Sequence, residues 1–337
     1  MAPDRPRNLL AVAVMSKADQ RRRGGVARIR DLSRFLSTSF DEPVGSHVDP
    51  QGVRGYYIDL RVKAQKSSNF DEAWPWEPGN APWVACAQLG LGGYERYLAG
   101  DGEEWLELAR RVGDRLSEHM LPDGARRGGL EHTFEFPHTF PLRTPWISAM
   151  AQGEAASLLV RLHLETGDQR YADAALLALE PLFVRTPEGG AMDLLDGRPF
   201  PEEYPTEPPS FVLNGGIFSL WGLYDAGRGL GDERATRAFD EGVDALVTNL
   251  HRWDTGWWSR YDLYPHPVRN IASFGYHQLH VNQLRAMAMI APRPELVATA
   301  ERWEGYEGSR ISRARAFAYK ASFRLRVPRS RAARPAS

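Results

Sequence analysis

At 337 residues the chain is long enough to bury a sizeable core, in one large domain or in two. Its 42% apolar and 25% charged residues are globular proportions, and a net charge of −1 offers no general attraction to nucleic acid. The lone cysteine, Cys86, excludes an intrachain disulfide and a cysteine-based zinc site.

The charge is unevenly placed. Residues 309–337 hold nine Arg or Lys and no acid, which leaves about −10 for residues 1–308 by subtraction from −1. Such a basic end can rest on anionic lipid or a polyanion, or stand solvated. Aromatic residues make up 11%, with ten Trp and twelve Tyr. Such rings fill helical cores and also stack on the C–H faces of sugars.

In chain order, residues 1–20 read as loose. The apolar run at 9–15 is too short to span a bilayer, and the polar and arginine-rich residues after it make a poor leader cleavage site. The expectation is a cytoplasmic protein, membrane-associated through its basic tail. Residues 26–36, with Arg28, Arg30 and Arg34, read as a short basic helix. Residues 55–62 alternate in the manner of a strand and can pair with 44–53 as a β-hairpin.

A helical hairpin then repeats. Residues 82–99 end at Gly100-Asp101 and are followed by a helix at 103–119. Residues 145–166 end at Gly167-Asp168, with a helix at 171–183. Residues 210–230 end at Gly231-Asp232, with a helix at 235–250. A less regular fourth pair covers 276–290 and 294–306. In each unit Gly closes the first helix in a left-handed cap and Asp opens the second. The first helix is apolar nearly all round and the second amphipathic, so the first is inner and the second outer. This predicts a mainly α fold, an (α/α) toroid of about four hairpins behind the β-hairpin. The expected divisions are a basic segment at 1–40, the hairpin and linker at 41–80, the toroid at 81–310, and a basic tail at 311–337.

Unusual residues stand before the inner helices. Glu202-Glu203-Tyr204-Pro205-Thr206 precedes the third, which opens Ser210-Phe211-Val212-Leu213-Asn214-Gly215. Asn214, inside the first turn of an apolar helix, either satisfies a loop carbonyl or meets a substrate hydroxyl. A second concentration runs from Trp253 through Tyr261-Asp262-Leu263-Tyr264 to Tyr276-His277-Gln278-Leu279-His280. His277 and His280 share a helical face at a metal-ligating spacing, but without a matching carboxylate they read as core or supporting residues. No dinucleotide fingerprint, phosphate loop or nucleophile elbow is present.

Together these residues resemble the C-terminal domain of the heparan sulfate glucuronyl C5-epimerase family. The resemblance runs through Thr144-Pro145-Trp146 to Gln152-Gly153, the Glu202–Thr206 and Ser210–Gly215 segments, and Gly222-Leu223-Tyr224-Asp225. It continues in Tyr261-Asp262-Leu263, Tyr276-His277 with His280, Asn282-Gln283-Leu284 and Arg302-Trp303; Gly55 to Arg61 and Ala87-Gln88 also match, so roughly residues 50–310 are covered. It implies an (α/α) barrel that turns D-glucuronate into L-iduronate within a glycan without a cofactor, and a homodimer by analogy with animal members. It places catalytic roles on Glu203, Tyr204, Tyr261 and Tyr276, and substrate binding on Asn214, Gln88, Gln152, Trp146, Tyr264, His277 and His280. Where animal members carry arginine this chain has Tyr264 and Ser273, so either Arg143, Arg260 or Arg269 substitutes or the chain acts on a different, less charged glycan. A polysaccharide lyase, a glycosidase using Glu203 with Asp254 or Asp262, and an inactive glycan-binding toroid are the alternatives.

Overall fold

The computed structural model describes residues 42–66, 82–134, 136 and 138–327. The basic helix expected at 26–36 and the N-terminal residues 1–20 lie outside these. Helix α1 (Arg61–Lys66) precedes the first hairpin, α2 (Trp83–Leu98) and α3 (Glu103–His119). Strands β1 (Glu131–His132) and β2 (Trp146–Ile147) lead to α4 (Ala149–Thr166) and α5 (Gln169–Leu179). Strands β3 (Met192–Leu195) and β4 (Arg198–Pro201) lead to α6 (Leu213–Leu230) and α7 (Glu233–Trp253). Helices α8 (Phe274–Ile290), α9 (Pro294–Gly308) and α10 (Arg310–Arg326) complete the order.

The four hairpins form an (α/α) toroid. Helices α2, α4, α6 and α8 stand side by side inside, while α3, α5, α7 and α9 each back their own partner. Burial follows that division. Helix α4 is buried on every face from Ala149 to Leu162, whereas α3 buries only a stripe of Leu108, Ala109, Val112, Gly113 and Leu116. Small residues let the inner helices close up. A Cβ on Gly222 would press into the backbone of Gly153, and one on Gly153 into the backbone of Ser219, so α4 and α6 meet chain to chain.

The turns follow the expected chemistry in two hairpins of three. Gly167 and Gly231 both take φ of 72°, and Asp168 and Asp232 accept from the amides of Arg170 and Ala235. In the first hairpin Gly102 stands at the cap position, and Asp101 instead pairs with Arg96 at 2.6 Å.

Several boundaries shift for identifiable reasons. Residues 145–148 do not begin the second inner helix: Trp146 and Ile147 pair antiparallel with His132 and Glu131, and Ser148 caps α4. Residues 210–212 stay outside α6 because the Glu202 carboxylate takes the amides of Ser210 and Phe211, with Phe211 held at φ 43°. The hairpin β3–β4, not foreseen, turns at Asp196-Gly197 with both residues at positive φ, the usual signature of a tight Asp-Gly turn.

The N-terminal hairpin is looser and shorter than expected. Residues 43–47 and 55–59 run antiparallel through Gly45 N–H to Tyr57 O, Asp59 N–H to Pro43 O and Gly55 N–H to His47 O, but only Val44 and Ile58 form a regular bridge. Arg61 and Val62 are helical, because the Asp59 carboxylate accepts from the Arg61 amide and starts α1. This segment is locked down by Arg161, which is fully buried. Its guanidinium donates to Asp225 at 2.6 Å and to the carbonyls of Arg54 and Gly55. Burial works against that charge, but Asp225 and the buried tyrosines keep it firmly protonated. Tyr57 Oη donates to the same aspartate.

The basic tail expected from residue 311 begins as a packed helix. Helix α10 buries Ala316, Lys320 and Phe323, and the Lys320 ammonium donates to Asn270 Oδ1 and the Ile271 carbonyl. No described helix is long and apolar enough to cross a membrane.

Two substitutions test this architecture. Gly222→Ala is expected to cost about 1–3 kcal/mol in urea unfolding by forcing α4 and α6 apart. Arg161→Met leaves Asp225 buried without its cation and is expected to cost about 3–5 kcal/mol.

Candidate active site

The first turns of all four inner helices converge on one cavity of about 230 Å³. Gln88 reaches it from α2, Met150 from α4, Asn214 and Phe218 from α6, and Tyr276 and Leu279 from α8. Strand β1 and the loop after it add His132, Phe134 and Phe136, the loop after β4 adds Glu203 and Tyr204, and Glu42 and α1 residue Lys63 come from the chain ahead of α2. The common mouth expected of a toroid is therefore present.

The loop bearing Glu203 and Tyr204 is set by its neighbour. Glu202 is fully buried; its carboxylate accepts from the amides of Ser210 and Phe211 and from Ser210 Oγ, which folds residues 202–211 back on themselves. Burial raises this carboxyl to about 8, while those donors work in the opposite direction. Glu203 then lies against the first turn of α6. Gly215 makes room for it, since a Cβ there would collide with the Glu203 side chain. Burial raises the Glu203 carboxyl to about 8 as well, with the Tyr204 hydroxyl opposing.

The three tyrosines meet around that carboxyl. The Tyr204 hydroxyl lies close enough to Glu203 and Tyr261 for each to influence its proton, and the Tyr261 and Tyr276 rings meet edge-on at 5.0 Å. Burial, reinforced by the charge of Glu203, pushes the Tyr204 and Tyr261 phenols well above the usual range, so both stay protonated. Tyr261 is held by its backbone: its amide donates to Asn270 O and its carbonyl accepts from Leu213 N. It stands behind Tyr204 and Tyr276 rather than on the cavity wall.

Four buried polar atoms of the residues on this wall have no hydrogen-bond partner among the described residues: Glu203 Oε2, Asn214 Oδ1, His132 Nδ1 and Trp146 Nε1. Each such atom costs about 1–3 kcal/mol in a buried site. Their convergence on one aromatic cavity marks it as a place for a hydroxyl-bearing ligand. His132 is neutral, because burial lowers it to about 4, and it stacks on Trp146 at 4.0 Å.

Residues 123–305, which contain most of this wall, match the family described as D-glucuronyl C5-epimerase C-terminus. The chain belongs to that family. It is 37% identical over 176 residues to a D-glucuronyl C5-epimerase of Caenorhabditis elegans, covering 48% of this chain and 29% of that protein. It is 30% identical over 161 residues to an uncharacterized protein of Methanocaldococcus jannaschii, covering 46% of this chain and 50% of that one. The chain thus matches at most half the length of these relatives. Among solved structures, it is similar to cellobiose 2-epimerase from Spirochaeta thermophila, with a TM-score of 0.49 and 12% identity over 83% of this chain and 85% of that one. It is also similar to unsaturated glucuronyl hydrolase from Bacillus sp., with 0.46 and 14% over 80% of each.

Not every residue singled out by resemblance to the D-glucuronyl C5-epimerase family reaches the cavity. Glu203, Tyr204, Tyr276, Asn214, Gln88 and Trp146 line it, with Tyr261 directly behind. Gln152 is a structural brace: it accepts from Leu130 N and donates to the carbonyls of Gly128 and Ala178. His277 and His280 share the hydroxyl of Ser259, and the far nitrogen of His277 bonds the Trp303 carbonyl. Burial keeps both rings neutral. They fix the strand of chain that delivers Tyr261 and do not face the cavity. Arg143 is exposed, Arg260 donates to Arg252 O, and Tyr264 packs on Phe140; none is on the wall. Ser273, where animal members carry arginine, caps α8 by accepting from the Tyr276 amide.

The carboxylates proposed for a glycosidase pair are also elsewhere. Asp254 is paired with Arg302 at 2.8 Å, and Asp262 accepts from Asn270 Nδ2. The sequence reading missed His132, Phe134, Phe136 and Lys63. The first three belong to an alternating run, His132-Thr133-Phe134-Glu135-Phe136-Pro137-His138, whose rings could have been read as one face.

Glu203 gives two measurable consequences. A carboxyl raised from its ordinary value to about 8 binds a proton in the folded state that the unfolded state releases near ~4.3. Its contribution to stability is complete below that lower value and is lost as pH rises through about 8, so Glu203→Gln is expected to flatten the fall of Tm between pH 5 and pH 9. Gly215→Ala is expected to retain a folded circular dichroism spectrum while lowering activity at least ~10-fold, as a small misplacement of a reacting group can.

Proposed function

We propose that this cavity abstracts and returns the C5 proton of a glucuronate unit within a glycan, so that D-glucuronate and L-iduronate interconvert. The observation that carries the reading is the buried Glu203 carboxyl, with Oε2 unpartnered among the described residues, surrounded by Tyr204, Tyr261 and Tyr276 in one aromatic cavity. Family membership and the D-glucuronyl C5-epimerase of Caenorhabditis elegans support it.

The chemistry fits these groups. A proton beside a carboxylate is weakly acidic, because the electron pair left by the C5–H bond moves into that carboxylate and doubles its charge. A base poised near neutrality and donors for the developing oxyanion lower this barrier. Glu203, raised to about 8 by burial, is suited to take or give the proton. Tyr204 and Tyr261 remain phenols at neutral pH and serve as acids, with Tyr204 and Tyr276 on the wall and Tyr261 behind them. Aromatic walls from Trp146, Phe134 and Phe136 suit the C–H faces of a sugar chain. No step calls for a cofactor.

Incubation with a glucuronate-containing polysaccharide in deuterated water tests the reading. Deuterium at C5 in intact chains is the expected result. Absorbance from a 4,5-unsaturated uronate would show elimination instead, and new reducing ends without it would show hydrolysis. Tyr261→Phe and Glu203→Gln are each expected to slow exchange by at least ~10²-fold, the ordinary scale of a lost acid or base. Near-normal exchange in either variant removes that residue from the mechanism.

A further inference from the structure

The proposed reaction places a carboxylate in the cavity and then doubles its charge, which a cation on the wall offsets more strongly than neutral donors alone. Arg143 and Arg260 do not line it, and His132 is uncharged. Among the described lining residues the positive charge is Lys63, from α1. Its ammonium donates to Gln88 Oε1 at 2.5 Å and pairs with Glu42 Oε1 at 2.6 Å, and 36% of its side chain remains exposed. Gln88 in turn donates from Nε2 to Glu154 Oε1 at 2.8 Å. Glu154 is fully buried, and burial raises its carboxyl well above the ordinary range, so it adds no competing anion near neutrality.

The arrangement has the form of a built carboxylate seat. An ammonium has three donors, and two are committed to Gln88 and Glu42 in a fixed geometry. Gln88 is itself oriented, its oxygen on Lys63 and its nitrogen on Glu154. We propose that Lys63 receives the uronate carboxylate and carries the added charge as the C5 proton leaves, with Gln88 and Glu42 holding the ammonium in place. This rests on the uronate reading of the cavity and adds a specificity to it: the substrate carboxylate takes the ammonium donor that Gln88 and Glu42 leave open. Glu203 and Asn214, which line the same cavity, are then left for the C–H bond and a hydroxyl.

The test compares binding of two oligosaccharides by calorimetry: a glucuronate oligosaccharide, and the same one with its carboxyls reduced to primary alcohols. Exchange at C5 is followed in parallel. The wild type is expected to bind the charged glycan at least 10-fold more tightly. Lys63→Met is expected to lose that preference and slow exchange by ~10²–10³-fold, and Lys63→Arg to restore part of both. Since Lys63→Met strands the Glu42 carboxylate, the Lys63→Met/Glu42→Gln pair serves as the variant without a stranded charge and should show the same loss of preference. A Lys63 that merely supported the fold would weaken both glycans alike and leave their ratio intact. A ratio unchanged from wild type in the double variant overturns the assignment, even if exchange proves the epimerase reading. Binding of neither glycan by the wild type would overturn the uronate reading and the Lys63 seat with it.

Discussion

The buried guanidinium of Arg161 organises this molecule. It sits fully buried on an inner helix and pairs with Asp225 on the next inner helix. Such a charge is tolerated only if every direction around it is supplied with a partner. Here the remaining donors are satisfied by the carbonyls of Arg54 and Gly55 and of Ser157 in its own helix, and Tyr57 completes the shell of Asp225. The requirement therefore binds the chain ahead of the toroid to the inside of the toroid. From that anchor residues 55–60 run to α1, whose start lies against α2 at Gly92, and Lys63 arrives at the cavity.

A similar logic of supplied partners operates at the mouth. Glu202 and Glu203 are adjacent carboxyls with opposite fates. Glu202 is saturated with donors from Ser210 and Phe211 and serves to fold its loop. Glu203 keeps an oxygen unpartnered among the described residues and is pressed against a glycine on α6. One is committed to the loop, and the other is left to the cavity. The histidines of α8 show the same division: His277 and His280 are consumed by Ser259 and Trp303, and in being consumed they fix the segment that carries Tyr261. Lys320 on α10 secures the far side of that segment through Asn270. Helix α10 is thus part of the scaffold behind the site, although its composition alone reads as a basic tail.

The architecture was legible because it is written in local periodicity. Apolar inner helices, amphipathic outer ones and Gly-Asp turns at Gly167 and Gly231 are short-range signals, and the structure keeps them. Errors arose where a side chain from elsewhere claimed the backbone. Glu202 withholds Ser210 and Phe211 from α6, and the pairing of β1 with β2 withholds Trp146 from α4. Both competitors act through tertiary hydrogen bonds beyond the three- and four-residue steps of a helix, so helical periodicity does not register them.

The same boundary divides the site. The sequence by itself determined which residues are candidates for chemistry: Glu203, Tyr204, Tyr261, Tyr276 and Asn214 are singled out by their match to the D-glucuronyl C5-epimerase family. Only the tertiary structure decided which of the conspicuous polar residues are braces, because Gln152, His277 and His280 find their partners across the fold. It also decided where the positive charge lies. A lysine in a short helix ahead of the toroid is unremarkable as sequence; it becomes part of the cavity because a buried ion pair far from the mouth fixes the path of the chain that carries it.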